Sequence, residues 1–415
     1  MSLQRCPLDQ LYQPFSDEQM ADPYPIYALA RQQEPVFYTE RVLPDAGVYV
    51  LTRYDDIVQV LAQPDLFLSK DVIRSVTTIY PESFAELRKG YPVTQRIITA
   101  DGANHRRFRM PFNKAFEPPR IKLLEPFVYE CASALIDSFA DTSHAEMISQ
   151  FCYPLPLQVI LHLFGMPQED MVQARHWCDD WLAFMSAPLP RERQVECAKS
   201  IVKFFNYLGN LIAERRANPR EDDLVTEITQ HVEPGMEPLS EAEQVNLLAS
   251  VLIAGHETTT NLIGNGLRIL LESRHHWQAI CQHPEQIPQT IEEILRYDSP
   301  IQTFFRTAAK DVEIGGVAIP AGSLLLVVYG SANRDEAKFT NADQFNPQEQ
   351  RGRKHLSFGS GKHSCVGALL ARMEARVAFE LLSQRFSDLR LASHQDFEHV
   401  KLLMHRGYQS LFVEW

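Results

Sequence analysis

Long apolar runs are missing from this chain. The longest stretches, around 247–254 and 324–329, are too short to span a bilayer. The opening Met1-Ser2-Leu3-Gln4-Arg5-Cys6-Pro7 is too polar for a signal peptide. A soluble, cytoplasmic protein with no membrane partner is therefore expected. Positive charge is also short: 40 Lys and Arg against 53 Asp and Glu give a net charge of -13, which argues against nucleic acid as a partner. Seven cysteines, an odd number at scattered positions, make no disulfide framework, and most are expected as small buried hydrophobes. No Gly/Ser-rich linker, repeat or low-complexity tract divides the 415 residues. With 45% hydrophobic residues, a single domain over 1–415 with a substantial core is the simplest organisation.

What is present is mostly helical patterning. A short helix is expected over 25–33, paired strands at 36–38 and 47–51, and a helix over 55–62. Residues 70–100 mix aromatics with Pro and Gly without a period and read as a long irregular loop. Further helices are expected over 104–116, 120–139, 155–164, 168–186, 191–217, 240–273, 275–282 and 285–297. Short strands at 312–314 and 324–328 flank the turn Ile319-Pro320-Ala321-Gly322. An irregular stretch over 333–356 leads to a helix over 366–385 and a β-rich tail. The fold class is mainly α with small peripheral β-sheets.

The segment Phe358-Gly359-Ser360-Gly361-Lys362-His363-Ser364-Cys365-Val366-Gly367 carries the most chemistry. Gly359 and Gly361 permit positive φ and close approach of backbone to a flat ligand. Cys365 is expected at a helix N-terminus, exposed and biased toward its ionised form. Such a sulfur suits nucleophilic attack or axial ligation of a haem iron. An isolated cysteine is more often simply buried. A zinc site at His363 and Cys365 lacks a second pair of ligands at zinc spacing.

Three further clusters stand out. Ala254-Gly255-His256-Glu257-Thr258-Thr259-Thr260 interrupts the longest apolar helix with poor helix formers. Thr258 is expected to bond back to the Ala254 carbonyl, bending the helix and opening a groove beside Ala254 and Gly255 for a diatomic molecule. Glu257 beside Thr258 is an acid next to an alcohol, able to relay protons. Glu293 and Arg296, three apart on a helix, read by themselves as a surface ion pair. His105 and Arg109 share a helix face, which is either a solvated basic face or a carboxylate site.

In this order the four segments resemble a cytochrome P-450 of the soluble bacterial type, a haem-thiolate monooxygenase, over essentially the whole chain. Ser299-Pro300 followed by Arg306, Ala332-Asn333-Arg334-Asp335 and Leu370-Ala371-Arg372-Met373-Glu374-Ala375 match as well. The resemblance implies the cytochrome P-450 fold, and haem b (iron protoporphyrin IX) with Cys365 as axial thiolate in the loop built on Phe358, Gly359 and Gly361. It implies His105, Arg109, Arg306 and His363 at the haem propionates. It implies Glu257 and Thr258 as the proton-delivering pair and Ala254 and Gly255 as the oxygen groove. Glu293 and Arg296 become the buried pair that props the cysteine loop. Where members often carry Pro, this chain has Glu336, and Phe345-Asn346-Pro347-Gln348-Glu349 carries Glu where Arg is common. Arg351 or Arg353 is then the candidate third partner of Glu293 and Arg296.

The resemblance also implies the reaction: activation of O2 to hydroxylate or epoxidise a mainly apolar organic substrate, free or carrier-tethered, in natural-product metabolism. No fused flavin or iron–sulfur domain is expected. A monomer is expected to take electrons from a separate ferredoxin and ferredoxin reductase, and ultimately from NAD(P)H. Arg106, Arg107, Lys114, Arg353, Lys354, Lys362 and Arg372 fall in segments expected on the thiolate side and would suit an acidic ferredoxin. Pocket walls are expected from 71–98, from about 180–195, and from Ser250, Ile253, Gln302, Phe304, Phe305 and Met404. Alternatives are oxidative coupling, desaturation or peroxygenase chemistry, a non-catalytic haem-thiolate sensor or recruitment protein, and a cysteine hydrolase using Cys365.

Overall fold

The computed structural model describes residues 7–73, 78–186, 189–221 and 223–415. The polar opening 1–6, Cys6 included, and parts of the 71–98 and 180–195 walls lie outside the described residues.

The helices that carry the site are α1 (Tyr24–Gln33), α2 (Gly102–Ala115), α3 (Pro118–Asp137), α4 (Pro154–Leu163), α5 (Met171–Ser186), α6 (Arg191–Ala217), α7 (Glu241–Glu272), α8 (Ile287–Tyr297) and α9 (Ala368–Arg385). The 32-residue α7 is the axis of the molecule. Ser240 and Glu243 cap its start reciprocally, satisfying two of the free N–H groups there. Apolar and small residues then run nearly all round it, and it is packed by α4, α6, α8 and α9.

Five strands form the main sheet: β1 (Val36–Thr39), β2 (Val48–Leu51), β3 (Phe67–Leu68), β4 (Thr303–Ala308) and β5 (Leu324–Val328), in the order β1-β2-β5-β4-β3. β2 and β5 run parallel, with Val48 opposite Leu324, and the other pairs are antiparallel. A three-stranded sheet joins His144–Glu146, Phe412–Glu414 and Arg390–Leu391. Among the described residues, no helix is long and apolar enough to cross a membrane.

The expected mainly α architecture is observed, with local differences. The stretch expected as loop holds a helix, Pro81–Leu87, opened by proline at a position where its missing N–H costs nothing, and a single turn at Ile97–Thr99. An additional short helix, Leu224–Gln230, is started by Asp223, whose side chain accepts from the Thr226 N–H at 2.7 Å. β4 escaped notice because it is covered on both faces and shows no alternation. Val312–Ile314 pairs with Val317–Ile319 across Gly315-Gly316, while 324–328 joins the main sheet instead. Cys131, Cys152, Cys178 and Cys197 are free and buried as expected, whereas Cys281 is half-buried and Cys365 is open.

Candidate functional site

The cysteine loop is shaped by two left-handed glycines, Gly359 (φ 67°) and Gly361 (φ 70°). The Cys365 N–H closes it on the Phe358 carbonyl at 2.8 Å, and α9 starts at Ala368, slightly later than expected. The Phe358 ring lies 4.5 Å under the Arg372 guanidinium, which is itself paired with Glu292 at 2.5 Å. The sulfur opens into a recess, yet burial pushes its thiol above the ordinary range. The Gly367 N–H, Arg109 and Arg372 act the other way. The helix terminus therefore does not ionise Cys365 unaided, contrary to the expectation; a bound metal would remove the proton outright.

On α7, Ser250 and Thr258 are half-buried and Ala254 is exposed, whereas Val251, Leu252 and Ile253 are covered. These three positions recur every four residues, so one strip of the central helix faces a recess. Thr258 Oγ1 donates to the Ala254 carbonyl at 3.0 Å, as expected. The helix nevertheless runs unbroken through this point. Gly255 does not open the groove: a Cβ there would sit 3.0 Å from Ile160 Cδ1, so its bareness serves the α4–α7 contact. Ala254 alone of that pair faces the recess.

Glu257 is turned away from Thr258, and among the described residues no hydrogen bond joins them. It sits near Tyr153 and near Cys178 and Asp179 of α5. Burial, and then the charge of Asp179, push its carboxyl up to about 7, while a bond from Asn261 pulls down. His256 bonds through Nδ1 to the Leu252 carbonyl at 3.0 Å, which leaves Nε2 as an acceptor 4.0 Å from Glu257.

Beside the cysteine loop, which itself supplies His363, two histidines and two arginines converge. The His105 and His363 rings lie 4.1 Å apart. Burial, then His105, Arg306, Arg109 and Lys362, force His363 down to about 3. Burial and then Arg109 lower His105, whose Nε2 is buried without a partner. Arg306, on β4, donates to the Phe305 carbonyl at 2.7 Å, and Arg109 donates to Asn113 at 2.8 Å. Among the described residues neither arginine has an ion pair. Asp101 stands 3.9 Å from His363 but already accepts the Ser69 N–H at 2.9 Å, and Ser69 Oγ meets His363 Nε2 at 3.1 Å.

Behind the loop, Arg296 makes a two-pronged pair with Glu293, both bonds 2.8 Å, and donates to the carbonyls of Asn333, Ala342 and Gln344. Arg351 supplies the third member, 3.1 Å from Glu293, so Arg353 is excluded from that role. The surface reading of this pair fails: Glu293 and Arg296 are almost wholly buried. Of the expected pocket wall, Ile253 borders the α7 strip and Phe304 shares a face of β4 with Arg306. Phe305 points the other way, into the core with Leu326 and Val328, and leaves the wall. Gln302 is engaged with the Ser299 carbonyl at 2.8 Å and the Tyr24 hydroxyl, and its N–H bonds the Met404 carbonyl. The basic patch is also smaller than expected: Arg106, Arg107, Lys114 and Arg372 are paired with Glu233, Glu243, Glu227 and Glu292.

A glycine-bent loop presenting one cysteine, a strip of a long central helix with a threonine, and basic side chains gathered at the rim define the haem-thiolate class of oxygenases. The family model for Cytochrome P450 matches residues 47–287 and 286–405. Cytochrome P450 107B1 of Saccharopolyspora erythraea is 36% identical over 92% of this chain and 92% of its own length. The structure of cytochrome P450 CREJ in complex with (4-ethylphenyl) dihydrogen phosphate superposes with a TM-score of 0.91 at 33% identity, over 97% of this chain and 99% of that one. P450BioI in complex with hexadec-9Z-enoic acid ligated acyl carrier protein gives 0.86 at 30% identity, over 96% and 100%. The chain belongs to the cytochrome P450 family, and its relatives are monooxygenases.

The family's haem fits the residues present. It carries two carboxylates and needs one thiolate. This chain offers one sulfur open to a recess and, at the edge, two arginines that form no ion pair among the described residues, beside two histidines.

Proposed function

We propose that the chain is a single-domain monooxygenase acting on a mainly apolar organic substrate, with Cys365 as the axial ligand. His105, Arg109, Arg306 and His363 would hold the two propionates. The observation that carries the reading is the convergence of two arginines without an ion pair on two histidines that burial and those arginines hold neutral: the site repels further positive charge and would be relieved by anions. When bound, haem supplies reductive activation of dioxygen and transfer of one oxygen atom to substrate carbon. The protein's part is protonic and steric. Thr258 Oγ1 gives its own proton to Ala254, so its free lone pairs accept a proton or a water on the recess side. Glu257, with a carboxyl near neutrality, is matched to proton transfer at physiological pH. With no bond between them, an intervening water is required. Ala254 and Ile253 keep the neighbouring wall apolar and limit bulk water.

Electrons would come from a separate ferredoxin and its reductase, docked where Arg353 and Lys354 are exposed and, among the described residues, unpaired by acids. One similar structure is a complex with a fatty acid ligated to acyl carrier protein and another a complex with an aryl phosphate, which supports either a free or a tethered substrate here. The test is spectroscopic. Purified protein should show the thiolate-type spectrum of the reduced carbon monoxide complex, and Cys365→Ser should lose it. Survival of that spectrum in the variant would reject Cys365 as ligand.

A further inference from the structure

The buried arginines of this chain are answered in one of three ways, and one residue in none of them. Arg334 is satisfied by the Tyr297 carbonyl at 2.8 Å and by the rings of Tyr24 and Tyr297, 3.5 and 3.8 Å from its guanidinium. Arg31, Arg215, Arg296 and Arg406 each meet a carboxylate at 2.7–3.0 Å. Arg109 and Arg306 belong to the cation cluster assigned to the propionates. Arg96 is half-buried, its Nε is fully buried without a partner, and no acid among the described residues acts on its charge. It is not one of the cations that press on His363.

The chain holds Arg96 in place deliberately. Its N–H donates to Thr99 Oγ1 at 2.9 Å, and its carbonyl accepts the Thr99 N–H at 3.0 Å. The preceding residues are tied to α7: Asn246 donates to the Pro92 carbonyl at 3.0 Å and accepts the Thr94 N–H at 3.3 Å. Asn246 lies one turn before Ser250, so the segment carrying Arg96 rests at the start of the recess-facing strip. The guanidinium lies 5.4 Å from the ring centre of Trp181 on α5. A stacking contact at that distance is weak compared with the hydration the group has lost.

We propose that Arg96 receives the carboxylate of the substrate, which makes the substrate class an apolar acid whose hydrocarbon portion lies along Ser250, Ala254 and Thr258. This rests on the haem-thiolate reading of the recess. A planar guanidinium matches a carboxylate in two-pronged geometry. One cation neutralises a monoanion; a phosphate dianion would leave a buried net charge.

The test uses haem-loaded enzyme and three probes: dodecanoate, its methyl ester and dodecyl phosphate. Dissociation constants are measured by calorimetry and by the ligand-induced spectral shift. Dodecanoate should bind roughly tenfold or more tightly than the ester, as expected for a charge-assisted contact. Arg96→Gln should abolish that preference while ester affinity stays within about twofold, and Arg96→Lys should keep most of it. An absent preference in the wild type, a preference that survives Arg96→Gln, or tighter binding of dodecyl phosphate each overturns the proposal. The wild-type contrast decides even if a variant fails to load haem. Loss of the thiolate spectrum in the wild type would instead refute the underlying reading, whereas an intact spectrum with bound ester and no acid preference refutes only the role of Arg96.

Discussion

Arginines are buried on both sides of the cysteine loop, and the two sides treat them in opposite ways. Behind the loop, Arg296 and Arg351 are closed off by Glu293 and by backbone carbonyls, with no guanidinium left unanswered. At the rim of the recess, Arg109 and Arg306 crowd two histidines and form no ion pair among the described residues. The first set is complete within the chain and is a structural brace. The second has no such internal closure and is the place proposed for the haem propionates. Burial alone does not separate them, since Arg296 and Arg306 are both nearly inaccessible. The presence of a counter-charge does.

The sharpest break is on the closed side. Glu293→Ala would strand the buried Arg296 guanidinium, since Arg351 keeps Glu349 at 2.9 Å, and such a loss costs about 3–5 kcal/mol. Expression as soluble holoprotein should fall steeply, and chemical denaturation should show the midpoint dropping. A variant that folds and holds haem as well as the wild type would show that the brace is dispensable.

Glu257 tests the same contrast with an acid instead of a base. Its carboxyl is raised from 4.5 to about 7, so the folded state holds the proton more tightly than the unfolded state. The unfolded chain thus releases its proton first as pH rises. Stability falls between about pH 4.5 and 7 and stays lowered above, by at most ~3 kcal/mol. Glu257→Gln should therefore raise the thermal midpoint at pH 8 and leave it unchanged near pH 4.5. The same variant should waste reductant by lowering product formed per electron consumed. A gain in midpoint that does not depend on pH would mean that burial of the charge is not its source.

On the open side the expected signs are reversed. Arg306→Leu removes an uncompensated charge, so the haem-free protein should melt no lower than the wild type. Haem retention, followed as transfer to excess apomyoglobin, should weaken by about ten- to a hundredfold, the worth of one charge-assisted bond. A variant that loses apoprotein stability and keeps its haem would place Arg306 with the braces.

Much of this contrast was visible in the chain before any fold was known, but unevenly. The Phe358 to Gly367 spacing and the Thr258 back-bond depend on residues close in sequence, where glycine conformation and helix geometry decide the outcome. β4 was invisible because Thr303–Ala308 is covered on both faces, so neither period marks it. Phe305 was misassigned for the same reason: without the strand, its alternation with Arg306 could not be read. Gly255 looked like groove space because the packing of Ile160 against α7 has no local signature. Arg351 reaches Glu293 from 58 positions away, and only the fold chooses it over Arg353. Arg96 carried no motif; what marks it is a missing partner, and a missing partner is a property of three dimensions.

The smallest expected effect concerns cations at the surface. Arg106 looks available by its exposure, 65% for the side chain, but it lies 2.7 Å from the buried Glu233. Arg353 is exposed with no acid against it among the described residues. If open cations mark sites at the surface as they do in the recess, Arg353→Gln should slow reduction by an acidic ferredoxin several-fold at low salt. The slowing should vanish as salt screens a contact worth about 0.5–1 kcal/mol. Arg106→Gln should change little, because its charge is already spent on Glu233. Equal slowing by both variants would show that exposure governs docking, and that the rule of the missing counter-charge holds only where water is excluded.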